Sequence, residues 1–293
     1  MTAGPRLRLY MGAALISLSP VWVKLVSVPP TTSGFYRAFF GAVALSLYLL
    51  ATRRRMDFSR TVWWMLLVAS VFFALDLYFW HRSINYIGPG LSTLLANFQV
   101  FIMALAGLLL YGQRLRREQL VAMPLAIIGL GMIVGFDWRS LPTDYRLGVI
   151  FGLLTAVVYA GYLLSMRALR DRADHRLPVR EIAVMSIFVS VILGMTAGFE
   201  GESLAIPTWS DAGWLLAYGL LSHSLGMMLI ASSLPHVGTA EAGIALLLQP
   251  SLSFVWDVLI FQRPTSTIEI AGALLALFAI WLGARQPSGK TQS

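Results

Sequence analysis

Polar side chains are scarce in the long apolar stretches of this 293-residue sequence, so the few that occur there are where chemistry would be carried. Gln99 and Gln249 are uncharged amides set deep in such stretches. An amide offers two donors and an acceptor, and so addresses both the carboxylate and the ammonium of a zwitterion without burying a charge. The same residues could instead join neighbouring helices, an interaction worth only about 0.6 kcal/mol on average in membranes. Asn97 is a lesser companion. Thr155, Tyr159, Tyr162 and Met166 follow helical spacing and form one stripe, and Leu15, Ser19, Trp22 and Val26 form another. Opposed stripes of this kind line a cavity and grip a ring or an aliphatic chain, or else they pack between helices and sit in interfacial belts.

Acids within apolar stretches are costly and default to functional hypotheses. Asp76 is the deepest, with Tyr78, His81 and Arg82 close by in sequence. Asp76 and His81 are the candidates for coupling or gating, with a structural ion pair or hydrogen-bond network as the alternative. Glu241 and Asp257 stand near the ends of their stretch, where water reaches them, and are expected to be structural. His223 titrates near neutral pH in its free form and joins the candidate cavity set of Trp22, Tyr78, Asn97, Gln99, Tyr159, Tyr162, His223 and Gln249. Pro20 and Pro250 break helical hydrogen bonds and are candidate hinges, and Pro124 interrupts a third stretch.

Other chemistries are absent from the sequence. It has no His-Glu-x-x-His, no Gly-x-Ser-x-Gly and no phosphate-binding Gly-x-x-x-x-Gly-Lys motif. Zero cysteines exclude thiolate nucleophiles and Cys-ligated metals, and the four histidines (His81, His175, His223, His236) lack ligand spacing. No catalytic residue, metal or cofactor is expected.

The elements that must position these groups are ten apolar spans, approximately 9–26, 32–51, 61–81, 89–110, 117–135, 146–166, 179–198, 210–232, 238–261 and 267–284. About 20 helical residues cross a hydrocarbon core. The chain is 57% hydrophobic and 12% charged, against about 25% charged in soluble domains. This predicts an all-α polytopic membrane protein with the lipid bilayer as its solvent. The +8 net charge does not point to nucleic acid, because of where it lies. Arg6, Arg8, Arg53, Arg54, Arg55, Arg60, Arg114, Arg116, Arg117, Arg167, Arg170, Arg172, Arg176, Arg180, Arg285 and Lys290 all fall on one side, sixteen of the 22 basic residues. The other side has Arg82, Arg139, Arg146 and Arg263, with Lys24 and Arg37 in or beside spans. By the positive-inside rule both termini are cytoplasmic. Arg6-Leu-Arg8 before an apolar run could pass for a signal peptide, but Ser27-Val-Pro-Pro30 is a poor cleavage site, so span 1 is expected to stay in the mature chain.

A shift of 150 superposes 87–111 on 237–261 without a gap, matching Gln99 with Gln249 and Tyr111 with Phe261. A shift of 140 maps span 1 on span 6, Gly12 on Gly152. The chain is therefore expected to consist of residues 1–136 and 137–293, five spans each. Five is odd, so the second half runs inverted, a recurrent plan of secondary transporters. Gly131-x-x-x-Gly135, Gly148-x-x-x-Gly152 and Gly194-x-x-x-Gly198 allow close helix approach, within a working monomer or across a homodimer.

Ten spans in two inverted halves, Arg37 in span 2, the Gly88-Pro89-Gly90 turn and the run Gln119-Leu-Val-Ala-Met-Pro-Leu-Ala-Ile-Ile-Gly-Leu-Gly131 together resemble the EamA-type branch of the drug/metabolite transporter superfamily. Within it the chain looks like the aromatic amino acid exporters. The resemblance implies a cavity between spans 1, 3, 4, 6, 8 and 9, export of amino acids and related metabolites, and a bacterial inner membrane. The residues themselves imply a small, largely neutral or zwitterionic solute in an aromatic-lined, mostly uncharged cavity. Because spans 1 and 6 carry no acid, transport is expected to persist without a proton gradient. A proton-coupled drug or sugar-nucleotide carrier, and an intramembrane lipid-modifying enzyme, are the alternatives.

Overall fold

The computed structural model describes residues 3–53, 57–135, 137–170 and 179–284, and every regular element within them is helical. Of the basic-loop residues, Arg54, Arg55, Arg172, Arg176, Arg285 and Lys290 lie outside the described residues, as does His175. Nine of the ten expected spans are helices long and apolar enough to cross a membrane. The first is broken, with α1 (Ala3–Ser17) and α2 (Ser19–Leu25) meeting at Leu18. Pro20 explains the break. It has no N–H to give and its ring crowds the carbonyl four residues back, so the helix restarts with Pro20 in its first turn.

The remaining elements are α3 (Pro30–Ala51), α4 (Arg60–Ile87), α5 (Pro89–Ala96), α6 (Gln99–Tyr111), α7 (Arg117–Val134), α8 (Thr143–Arg170), α9 (Val179–Glu200), α10 (Trp209–Ala217), α11 (Met227–Ser233), α12 (Thr239–Phe261) and α13 (Thr267–Ala284). Span 4 is thus also broken, between α5 and α6, without proline or glycine at the break. The Asn97 side chain donates to the Thr93 carbonyl (2.8 Å) and the next turn tightens, with Val100 N–H on Asn97 O and Phe101 N–H on Phe98 O. In span 8, residues Tyr218–Gly226 between α10 and α11 form a wide π-helical stretch. Pro250 and Pro124 sit inside unbroken helices.

α4 runs six residues past the expected end of its span and stops at Gly88, whose φ of +87° suits glycine. The helical stretches Pro89–Tyr111 and Thr239–Phe261 have bounds that coincide at a shift of 150. Contacts confirm the up-down order. At one end Arg6 pairs with Glu241 (3.0 Å), Arg116 donates to the Gly283 carbonyl (3.1 Å) and Arg180 lies over Phe58. This is the basic-loop end. At the other, Ser27 N–H donates to Asp211 and Gly90 N–H to Asp257.

Leu50, Leu109, Ile127 and Leu274 point outward, each more than 60% exposed, as a lipid-facing surface requires. Of the paired glycines, Gly148 and Gly152 pack within the bundle, where a Cβ would meet Ile87 and Leu95, while Gly135 and Gly198 face open space.

Candidate functional site

A cavity of about 1430 Å³ opens between the halves at the basic-loop end. Its mouth is at Asp57, Arg170, Arg180, Glu181 and His236, and it reaches inward to Pro20, Arg37, Thr93 and Trp80. Of the expected site residues, Asp76, Asn97, Gln99, Tyr159, Tyr162, Gln249 and the hinge candidate Pro20 line it. The two repeat-related glutamines are both there, and neither makes a hydrogen bond among the described residues. Asn97 does, but to its own helix. The aromatic wall is continuous: Tyr159 stacks on Tyr162 with centroids 5.5 Å apart, and Tyr162 on Phe73 at 5.0 Å.

Trp22, Tyr78, His81 and His223 are placed elsewhere. Trp22 stacks on Trp214 (5.5 Å) and its indole N–H donates to Ser222 Oγ (3.1 Å), so it joins α2 to span 8. Tyr78 is two residues from Asp76, which turns it to another face of α4. Its hydroxyl donates to Glu200 at the far end. His81 and His223 are fully enclosed and hold up Arg37. Arg37 Nη1 donates to the Tyr218 hydroxyl (2.9 Å), and Tyr218 lies 3.2 Å from His81 Nε2, whose other nitrogen meets the Leu77 carbonyl. Arg37 Nε donates to His223 Nδ1 (3.4 Å), and His223 Nε2 contacts Ser186 Oγ (2.8 Å). The hinge candidate Pro250 is buried next to Gln249.

Nor is the cavity uncharged. Arg37 and Asp76 stand at its depth, and four further charged residues at its mouth. From the sequence Arg37 is a charge in or beside a span and a mark of resemblance, not a candidate site residue. The rule that makes an intramembrane acid a functional hypothesis applies equally to a cation and would have found it. Glu241 pairs with Arg6, while Asp257, expected to be reached by water, is 2% exposed and instead accepts from the Gly90 N–H (3.0 Å) and lies 3.8 Å from Arg263.

Beyond the cavity floor the bundle is shut by contacts between the halves. Arg82 Nη2 reaches both Glu200 oxygens at 2.8 Å, lies 3.7 Å from Glu202 and donates to Thr31 Oγ1. Its guanidinium sits 3.6 Å over the Tyr78 ring. Glu202 accepts from the Thr32 N–H at 2.9 Å and from its hydroxyl at 3.1 Å.

The model of the EamA-like transporter family matches twice, over residues 7–135 and 146–284. The chain belongs to the EamA-like transporter family. One match falls within residues 1–136 and the other within 137–293. An uncharacterized inner membrane transporter of Escherichia coli K12, YhbE, is 24% identical over 296 residues, covering 94% of this chain and 90% of its own length. An uncharacterized transporter of Archaeoglobus fulgidus is 22% identical, covering 94% of each chain. A solved crystal structure shares the fold with a TM-score of 0.67 at 15% identity, covering 97% of this chain and 98% of its own. The protein is an integral membrane transporter.

Proposed function

We propose that the protein is a secondary transporter that exports amino acids, aromatic and other neutral ones, and related small metabolites by alternating access of one central cavity. The observation that carries this reading is a solute-sized cavity between two repeat-related halves, open at one end and closed at the other by ion pairs that cross between the halves. Rocking of residues 1–136 against 137–293 would open the closed end and close the mouth, the two packings of an inverted repeat. The aromatic wall supplies contact area for a side chain, and Gln99 and Gln249 supply orientation from opposite halves. We place the protein in a bacterial cytoplasmic membrane as a monomer with both termini cytoplasmic, on the weight of the basic loops. The cavity then faces the cytoplasm, as loading for export requires.

The test is counterflow of labelled phenylalanine and threonine in liposomes, with and without a pH gradient. Exchange without a gradient is expected. Failure of every amino acid to exchange, with uptake of a sugar nucleotide or a cationic drug, would overturn the reading. The proton-coupled alternative is favoured by one feature, the enclosed Asp76 carboxylate facing the cavity, and predicts uphill export that stops when the gradient is collapsed.

A further inference from the structure

The depth of the cavity holds two opposite charges that do not pair with each other. Arg37 on α3 and Asp76 on α4 are 6% and 7% exposed, and both face the cavity. The Arg37 guanidinium lies 5.7 Å from the Phe73 ring centroid and 5.6 Å from that of Trp80. Those rings stand one turn to either side of Asp76 on α4, so cation and carboxylate address the same patch of wall. Yet they form no ion pair, and Asp76 makes no hydrogen bond among the described residues. Arg37 is fixed by neutral groups only, Tyr218 on Nη1 and His223 on Nε, and its Nη2 donates to none of the described residues.

Enclosed charges held apart with no direct ion pair are costly, and two of opposite sign facing one space are relieved together by a ligand carrying both signs. In an α-amino acid the ammonium nitrogen and the carboxylate carbon are bonded to one α-carbon, which suits a pair of protein charges too far apart to touch but close enough to be bridged. We propose that Arg37 Nη2 takes the carboxylate and Asp76 the ammonium of an α-amino acid zwitterion, with its side chain turned toward Tyr159 and Tyr162. This rests on the amino-acid reading above and assigns the groups that recognise the substrate's invariant part. The site is neutral overall and so selects a neutral zwitterion over a simple amine or a simple acid. Either of those would leave one enclosed charge uncompensated.

The test is binding to the purified full chain of three probes of similar size: L-phenylalanine, 3-phenylpropionate without the ammonium, and phenethylamine without the carboxylate. The wild type should prefer phenylalanine over both by about tenfold or more, the weight of one charged hydrogen bond. Asp76→Asn should weaken phenylalanine by about 10- to 150-fold and leave 3-phenylpropionate within about threefold. Asp76→Glu should restore part of the loss. Arg37→Gln should do the converse, sparing phenethylamine, with melting temperature reporting whether the Tyr218 and His223 contacts survive. If Asp76→Asn weakens phenylalanine and 3-phenylpropionate equally in a folded protein, Asp76 is not the ammonium partner and the proposal falls. If the wild type binds no amino acid at all, the amino-acid reading fails and this site falls with it.

Discussion

Removing one charge from the closed end should shift the balance between the two open states by a calculable amount. Glu200→Gln keeps the shape of the side chain but only one of its two acceptor oxygens, so of the Thr31 Oγ1 and Tyr78 hydroxyl donors, which now go to different carboxylate oxygens, one keeps its acceptor. Its main effect is to remove the charge that pairs with Arg82, both of whose short contacts run from one Nη2. The two side chains are 15% and 29% exposed. That places the pair between an exposed one, worth about 0.2–1 kcal/mol, and a buried one, whose breakage costs about 3–5 kcal/mol. About 1–2 kcal/mol is the reasonable middle, or roughly a 5- to 30-fold shift toward the state open at this end. The chain has no cysteine, so a single Ala96→Cys substitution in the cavity wall is a clean probe. An impermeant thiol reagent applied at the end opposite the basic loops should label the introduced thiol faster by that factor in Glu200→Gln, and more slowly from the mouth. High salt should shrink the difference, since the pair is partly solvated. Unchanged labelling from both sides, in a folded and membrane-inserted variant, would show that the Arg82 cluster does not hold this end shut.

Three further outcomes follow from the same geometry. Ser140→Cys and Ser203→Cys should label from outside intact cells and Ser59→Cys should not; the reverse would overturn the cytoplasmic termini. Gly41→Ala should lower the melting temperature, by about 1–3 kcal/mol of stability, because its Cβ would collide with the enclosed His223 ring at Cδ2, whereas Gly198→Ala, in open space, should not. Gln249→Ala should weaken apparent affinity across a threonine-to-phenylalanine panel, while Tyr159→Ala should cost the bulky substrates most; equal losses in both would return these residues to a packing role.

What was legible in the sequence is what hydropathy encodes. Ten spans, their up-down order and the 150-residue shift are properties of long apolar runs, and the helices keep to them. Local departures from the α-helix were less visible. Proline marks the break at Leu18, but the break at Asn97 arises from one side chain competing for a backbone carbonyl, and the π stretch at Tyr218–Gly226 has no composition of its own. The break at Leu18 parts Leu15 from the rest of the span 1 stripe, and on α2 Ser19 lines the cavity while Trp22 packs on Trp214. His223 sits in the π stretch, whose wide turn directs it at Arg37. Tyr78 and His81 stand close to Asp76 in sequence, but two and five residues along a helix lead to other faces. Tyr159, Tyr162 and Gln249 stand inside unbroken helices, where periodicity predicts direction, and Gln99 reaches the same cavity from the first residue of α6, just past the break.

The symmetry of the scaffold and the asymmetry of the site bear on how a solute could drive the cycle. Both cavity-depth charges belong to the first half, on α3 and α4, whereas the groups that hold Arg37 through Tyr218 and His223 belong to span 8 of the second. The Arg82 cluster has the same division, with its cation on α4 and its carboxylates on and just after α9. A ligand shifts a conformational equilibrium only by binding its two states unequally. A solute held by Arg37 and Asp76 alone would ride on one half and bias nothing. Contact with Tyr159 and Tyr162 on α8, and with Gln249 on α12, ties it to the other half, so that its full set of contacts exists in some relative positions of the halves and not in others. The charges of the first half would then fix what is bound, and the aromatic and amide groups of the second would decide whether binding moves the protein.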